Sequence, residues 1–440
     1  MAESSPGSTD ERAQVDDGGG RRVAIACQGG GSHTAFTAGV LSRLLGAAEL
    51  EDHRVVALSG TSGGAVCALL AWSALRDGEP GRARELLEGF WADNSASDPM
   101  AMALNAWMVW ASTLQSTGML PAVSPYDIPV TGLDHFRDLL RRWVEFDRIE
   151  ADDLAAHPLL LIGAVDVLSG RFRAFHSHHE RITADMVLAS AAIPTVFPAI
   201  HTDGGVYWDG LFSQNPPVRE LLEAQPDELW VIQINPTATD REPRSVLDIT
   251  DRRNELSGNL SLYQELHVIE KIDQLLADGL LIGDRYKQVT VRVIEMSRPA
   301  SSRLLGPASK LNRDRRFLRE LIAQGERQAG EFMTAMAFEQ AWRRRDLDAL
   351  AGLLHADADL VSAAPFPEHG PVQGPQLDAV VRELSGSVRM DLTRKQVARE
   401  AAAWTVVVDD AGTRRRGRIE AVVRDGHVVR IRLGAPEPSG

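Results

Sequence analysis

The sequence predicts an α/β body with a largely parallel sheet, followed by a smaller α+β domain. Three observations carry this. Two strand–turn–helix units follow one another near the start, each with a glycine-rich turn. Strand-like and helical runs then alternate through the body. After residues 333–336 the order changes to helix first and strand-like runs last, over about 100 residues.

The elements follow in order. Arg22 to Cys27 is a short apolar run entering Gly29-Gly30-Gly31, a buried strand meeting a glycine turn. Thr34 to Leu45 reads as a helix, with Phe36, Val40, Leu41, Leu44 and Leu45 on one side. Val55 to Leu58 is the second strand. It enters Gly60-Thr61-Ser62-Gly63-Gly64, and Ala65 to Leu75 is the helix that follows. Further strands are expected at 159–167, 171–176, 206–209, 228–234 and 288–294, and long helices at 252–280 and 310–336. Phe338 to Leu354 is an amphipathic helix. Two runs, 403–408 and 416–433, close the chain, the second interrupted by Asp425-Gly426.

Length and composition set the outer limits. A chain of 440 residues suggests two or three domains. With 44% hydrophobic and 25% charged residues it is ordinary globular material rather than a disordered chain. The net charge is -14, and from residue 335 on 15 basic residues balance 15 acidic ones, so the first 334 residues carry all of it. Such an acidic body excludes a nucleic-acid binder and gains little from anionic lipid. Two cysteines, Cys27 and Cys67, cannot form a disulfide framework; both lie in apolar runs and read as buried free thiols. That points to a reducing, cytoplasmic setting. Residues 1–21 are acidic, rich in Ser and Gly, without the apolar core of a secretory signal, and are expected to be disordered. No stretch reads as a membrane span.

The chemistry concentrates at the two turns. A G-x-S-x-G between strand and helix exposes a serine oxygen at the strand's end, Ser62 here, because Gly60 and Gly64 let backbone and helix crowd together. It also puts the Gly63 N–H and the helix's positive end beside any developing oxyanion. Gly29, Gly30 and Gly31 fail the dinucleotide pattern, since Thr34 stands at its last glycine, and no Walker lysine follows. Backbone donors for an acyl oxygen are the alternative. The base for Ser62 is less plain. Asp203 and Asp209 are acids with turn character. His267 lies in a helix, and His355, His369 and His427 lie in the second domain. A Ser–carboxylate dyad therefore fits better than a Ser-Asp-His triad.

These motifs resemble the patatin-like phospholipase family over about residues 22–334. The matching pieces are Gly29 to His33, Gly60 to Gly64, Ala189 to Pro198, and Asp209-Gly210 with Gln214-Asn215-Pro216. The resemblance implies a three-layer α/β/α sandwich. It also implies Ser62 as nucleophile, Asp209 as proton acceptor, an oxyanion hole at Gly29, Gly30, Gly31 and Gly63, and structural support from Gly60, Gly64 and Gly210. The implied activity is hydrolysis of lipid acyl esters, of phospholipase A or lysophospholipase type. The alternatives are acyl transfer to another alcohol and a degenerate lipid-binding site. Two departures matter: His33-Thr34 replaces the usual basic residue and glycine, and Leu211 replaces a small residue after Asp-Gly. No metal ligands cluster, so no metal or other cofactor is implied.

Residues 335–437 resemble the SnoaL-like, nuclear-transport-factor-2-like superfamily. The matching order is Phe338 to Leu354 with Trp342, His355 to Asp359, Gly370, Gly374, Trp404 to Val408 and Asp425 to Val429. A cone around a pocket is implied. His355, Asp357 and Asp391 are candidates to line it, or ordinary surface residues, while Trp342 and Trp404 read as core. The expected partners are a lipid or other acyl ester, a transient membrane-surface contact, and self-association through this domain. One segment stays ambiguous: the charge-free run from Pro99 to Tyr126 carries a helical stripe of Met100, Leu104, Trp107, Ala111 and Leu114. It either lines or lids an acyl channel or is a core helix.

Overall fold

A computed structural model describes residues 20–116, 124–127, 131–150, 156–194, 196–239, 242–282, 286–297, 307–389, 394–398, 401–410 and 413–435. The sequence positions 1–19 of the expected disordered tail, and Asp391, lie outside the described residues.

The first half runs β1 (Arg21–Cys27), α1 (Ala35–Leu45), β2 (His53–Thr61), α2 (Gly63–Arg76), α3 (Ala83–Asn94), α4 (Pro99–Ser116), α5 (Thr131–Trp143), β3 (Leu159–Asp166), β4 (Phe172–His176) and α6 (Ala184–Ser190). Then come β5 (Ile200–Thr202), β6 (Gly205–Asp209), β7 (Glu228–Gln233), α7 (Val246–Ala277), β8 (Thr290–Glu295) and α8 (Arg315–Arg344). The tail contains α9 (Leu347–Leu353), β9 (Leu354–Ser362), β10 (His369–Gln373), α10 (Pro375–Ser387) and β11 (Val388–Arg389). It ends with β12 (Arg394–Ala398), β13 (Ala401–Asp410), β14 (Thr413–Arg424) and β15 (His427–Gly434).

The body sheet has the order β8-β7-β1-β2-β3-β6-β5, with β8, β7, β1, β2 and β3 parallel and β6 antiparallel to β3. Strand side chains alternate between its two faces. Val23, Ile25 and Cys27 of β1 join one core with α1, α2, α3 and α8 residues, whereas Ala24 and Ala26 face the other core with Leu262, Leu266 and Ile269 of α7. Helices on both faces make the three-layer α/β/α body. The tail adds a second sheet, mostly antiparallel, in the order β10-β9-β15-β14-β13-β12, and β12 pairs with β8 in parallel.

The expected boundary at 333–336 falls inside α8. Nothing in that stretch stops a helix: no glycine or proline interrupts it, and Phe332, Met333, Ala335 and Met336 are all buried. The stop comes later, at Arg345 with φ 55, and Asp346 then caps α9 by accepting the Ala349 N–H at 3.0 Å. One apolar core continues from Phe36 and Trp72 through Phe332 and Phe338 to Trp342, Trp404 and Ile431.

A buried ion cluster sits at the same junction. Arg292 of β8 donates to both oxygens of Glu228 at 2.6 and 2.9 Å, and to Glu339 of α8 at 2.7 Å. The Trp230 and Trp404 indoles donate to Glu228 and Glu339 at 2.8 and 3.4 Å. Burial alone would raise the Glu228 carboxyl, but the Arg292 guanidinium outweighs it and holds it at about 2.

No helix among the described residues is long and apolar enough to cross a membrane.

Candidate active site

Strand β2 delivers Ser62 into a sharp turn before α2. Its backbone has φ 57 and ψ -131, a strained conformation for a residue with a side chain. The neighbours explain how the turn closes. A side chain at Gly60 would strike Gly64 and Ala65 backbone, and one at Gly64 would strike the Cys27 and Gln28 carbonyls. One at Gly63 would meet the Thr34 hydroxyl and the Gly31 carbonyl. Thr34 thus fills the space beside Gly63, and its hydroxyl donates to Gly31 O at 2.6 Å.

Asp209 ends β6, where it pairs with Ala164 of β3 and so lies across from Ser62 at the end of β2. The Ser62 hydroxyl lies beside its carboxylate and favours the ionised form. The Leu211 N–H donates to Oδ1 at 2.8 Å. Ser62 is 6% exposed and Asp209 1%. Burial pushes the Asp209 carboxyl up to about 7, against the Leu211 N–H, the Ser62 hydroxyl and the charge of Lys310, which pull it down. A carboxylate at its ordinary value of about 3.9 would be a feeble base at neutral pH; this one titrates where a base is useful.

The Ala189 to Pro198 segment holds both members. Ser190 Oγ accepts the Ser62 N–H at 2.9 Å and donates to Gly163 O at 2.6 Å. The Ala192 carbonyl accepts the Asp209 N–H at 3.0 Å. Sequence reasoning picked out the segment as a motif but gave its residues no task. Ser190 is fully buried; the signal available in the sequence was a lone hydroxyl in an otherwise apolar run, which needs a partner once buried.

The glycine loop divides. Gly29 was expected among the oxyanion donors, but its N–H lies 2.7 Å from Asn215 Oδ1 and is engaged. The N–H groups of Gly30, Gly31 and Gly63 make no hydrogen bond among the described residues. Asn215, from the Asn-Pro after Asp-Gly, is therefore the anchor of the loop. Gln28 is a second anchor that sequence reasoning missed. Its Oε1 accepts the Ile234 and Asn235 N–H groups at 2.8 Å each, and its Nε2 donates to Asn259 Oδ1 at 2.9 Å.

The two family departures have visible accommodations. His33 is buried with Nε2 2.7 Å from Ser309 Oγ, in the short helical turn Pro307–Leu311. That same turn carries Lys310, whose ammonium donates to Asn235 Oδ1 at 2.9 Å and whose charge reaches Asp209. Lys310 lies far along the chain from every motif, so no spacing rule could find it. Leu211 lies against Gly258 of α7, where a side chain would approach its Cδ1 to 3.4 Å.

Other candidates lie apart. Asp203 sits on the β5–β6 turn and pairs with Arg173 at 2.8 Å. His267 is exposed on α7. His355 and Asp357 are surface residues 3.9 Å apart. Trp342 and Trp404 are core. Both cysteines are buried and free. No metal grouping was expected, but His176, His179 and Glu223 each offer a ligand atom within 4.8 Å of the others. There His176 Nδ1 accepts the His178 N–H at 3.2 Å, which puts its proton on Nε2, 3.3 Å from Glu223. A proton rather than a lone pair then faces Glu223, so the arrangement fits a hydrogen bond better than a metal.

Residues 25–222 match the family described as patatin-like phospholipase, so the chain carries a patatin-like domain. The match is narrower than the 22–334 expected; β7, α7, β8 and the Lys310 turn follow it yet complete the same sheet and site. No curated protein gives a significant match. Among solved structures, the chain is similar to an NTF2-like protein of unknown function from Mesorhizobium loti, at 21% identity, covering 24% of this chain and 91% of that one, TM-score 0.22. It is also similar to a putative polyketide cyclase from Sinorhizobium meliloti, at 18% identity, covering 23% and 92%, TM-score 0.19.

Proposed function

We propose that this protein hydrolyses lipid acyl esters through Ser62 and Asp209. The patatin-like domain supports lipid acyl hydrolase activity in general. The observation that carries the finer reading is a buried carboxylate, Asp209, beside the strained Ser62 turn, with burial pushing its pKa up to about 7.

Asp209 takes the Ser62 proton as Oγ bonds to the ester carbonyl carbon. The carbonyl electrons move to oxygen, facing the N–H groups of Gly30, Gly31 and Gly63. The tetrahedral adduct expels the alcohol, which takes the proton from Asp209, and leaves Ser62 acylated. Water then gives a proton to Asp209 and attacks the acyl carbon. The acid departs and Ser62 recovers its proton. One carboxylate serves both half-reactions, which suits a pKa near neutrality better than one near 4.

The test is turnover of a short-chain chromogenic ester and of a phosphatidylcholine by the full chain and by Ser62→Ala. Turnover that the substitution abolishes supports the reading. Turnover retained in Ser62→Ala, or none by the wild type on either ester, contradicts it.

A further inference from the structure

The helix α4 is inside out. Its eighteen residues contain no ionisable side chain, and its apolar stripe faces away from the protein. Met100 is 77% exposed, Trp107 59% and Trp110 57%, with Leu104 exposed between them. At 100° per residue Met100, Leu104 and Trp107 share one side with Trp110 at its edge, while Met102, also 52% exposed, lies opposite. The residue facing inward is polar: Asn105 is buried, donates to Asn312 Oδ1 at 2.9 Å and accepts the Arg313 N–H at 2.8 Å. Of the two earlier readings of this segment, the core helix is excluded by that exposure.

The anchor matters because of what it joins. Asn312 and Arg313 directly follow the Pro307–Leu311 turn, which packs on α4 on one side and on the Gly31–Thr34 turn on the other. Helix α4 also touches α7, which exposes Leu256 and Leu260 on either side of Gly258, the glycine against Leu211. An apolar rim therefore adjoins the elements that hold the dyad, while the dyad itself is almost closed to water.

We infer that α4 docks this protein on an electrically neutral phospholipid surface; the inference rests on the lipid-ester reading of the site. Charge selects the occupant. A helix without ionisable groups on a chain of net charge -14 gains nothing from anionic lipid and loses nothing on a zwitterionic interface. Tryptophan at the edge of an apolar stripe suits the headgroup boundary, where one side of the ring is wet and the other is not. A lipid surface seated there would lie against the elements next to Ser62, where an ester substrate is used.

The experiment is binding of the full chain, in the Ser62→Ala form, to phosphatidylcholine vesicles by co-sedimentation and Trp emission. Using the inactive form separates docking from catalysis: binding without wild-type turnover would sink the hydrolase reading alone. Of nine tryptophans, Trp107 and Trp110 are the two that are exposed, so a blue shift reports this helix. The expected result is binding with a blue shift, weakened about tenfold for each Trp in Trp107→Ser and Trp110→Ser. Met100→Ser with Leu104→Ser should weaken it as well. In the otherwise wild-type chain these variants should turn over a soluble short ester unchanged, which shows that they fold. Equal binding by the variants, no binding to neutral vesicles, or binding only when anionic lipid is added would overturn the inference. So would a wild-type dimer that Trp107→Ser converts to monomer, which would give the face to a second copy.

Discussion

Helices α2 and α4 are both largely apolar and nearly uncharged, and they have opposite fates. Apart from Arg76, α2 carries no charge, and its side chains are buried from Gly64 to Ala74. Helix α4 carries no charge at all and shows its largest side chains to solvent. The difference lies in what holds each one. Helix α2 lies against the sheet, and its start is fixed by glycines whose backbone touches neighbouring backbone at Gly60, Gly63 and Gly64. Helix α4 is pinned through one amide, Asn105, to the chain after the Lys310 turn. Apolar composition says that a helix will leave water; it does not say for which medium.

The largest effect should come at the start of α2. Ser62→Ala should lower ester turnover by about 10⁴-fold or more, and Asp209→Asn nearly as much, since an amide cannot take the proton. His267→Ala, exposed on α7, should leave the rate unchanged. Steady-state kinetics on a soluble ester checks all three, and a loss at His267 equal to that at Asp209 would replace the dyad by a triad.

Next is the junction through α8, which ties the α2 core to the tail. Arg292→Met removes the buried cation that Glu228 and Glu339 share, leaving them the more exposed Arg21 and Arg343, and should cost about 3–5 kcal/mol in denaturant unfolding. A chain ending near Met333 would be cut within α8 and would lose Glu339, so the expected result is a destabilised body.

The direct comparison of the two helices is smaller. Leu70→Ala in α2 should cost about 2–5 kcal/mol by opening a cavity. Trp107→Ala in α4 should stay within about 0.5 kcal/mol in the free protein. Equal costs would mean that α4 is packed after all.

A pH effect refines the α2 side. In the folded chain the Asp209 pKa is raised, so the native state holds its proton while the unfolded state has released it. Stability therefore falls as pH rises from about 4 through about 7. Asp209→Asn removes that penalty and should stabilise by roughly 1–3 kcal/mol more at pH 8 than at pH 4, with activity lost. Thermal unfolding at the two values reads the difference.

Much of this was legible in the chain. The glycine turns, the parallel body strands and the Ser62 turn follow from local patterns, because a strand–turn–helix junction needs small residues in fixed places; the choice of Asp209 over Asp203 came only with the family resemblance. What was not legible is tertiary. Periodicity found the stripe on α4 but could not say which way it faces, since a 3.6-residue period is the same inside or out. The α8 helix crosses residues 333–336 because no residue there stops it, although the pattern of elements changes. Lys310 and Ser190 reach the site only through folding, and the engagement of Gly29 depends on Asn215, 186 residues away.

The most direct test of the central claim is the rate at which a fluorophosphonate labels Ser62 from about pH 5 to about pH 9, in the wild type and in Asp209→Asn. The account predicts label on Ser62 alone, with a wild-type rate that rises through a pKa of about 7. In Asp209→Asn the labelling should be slow and without that rise. Label on another residue, or the same pH profile in both chains, would contradict it, because the base that activates the nucleophile would then be some group other than Asp209.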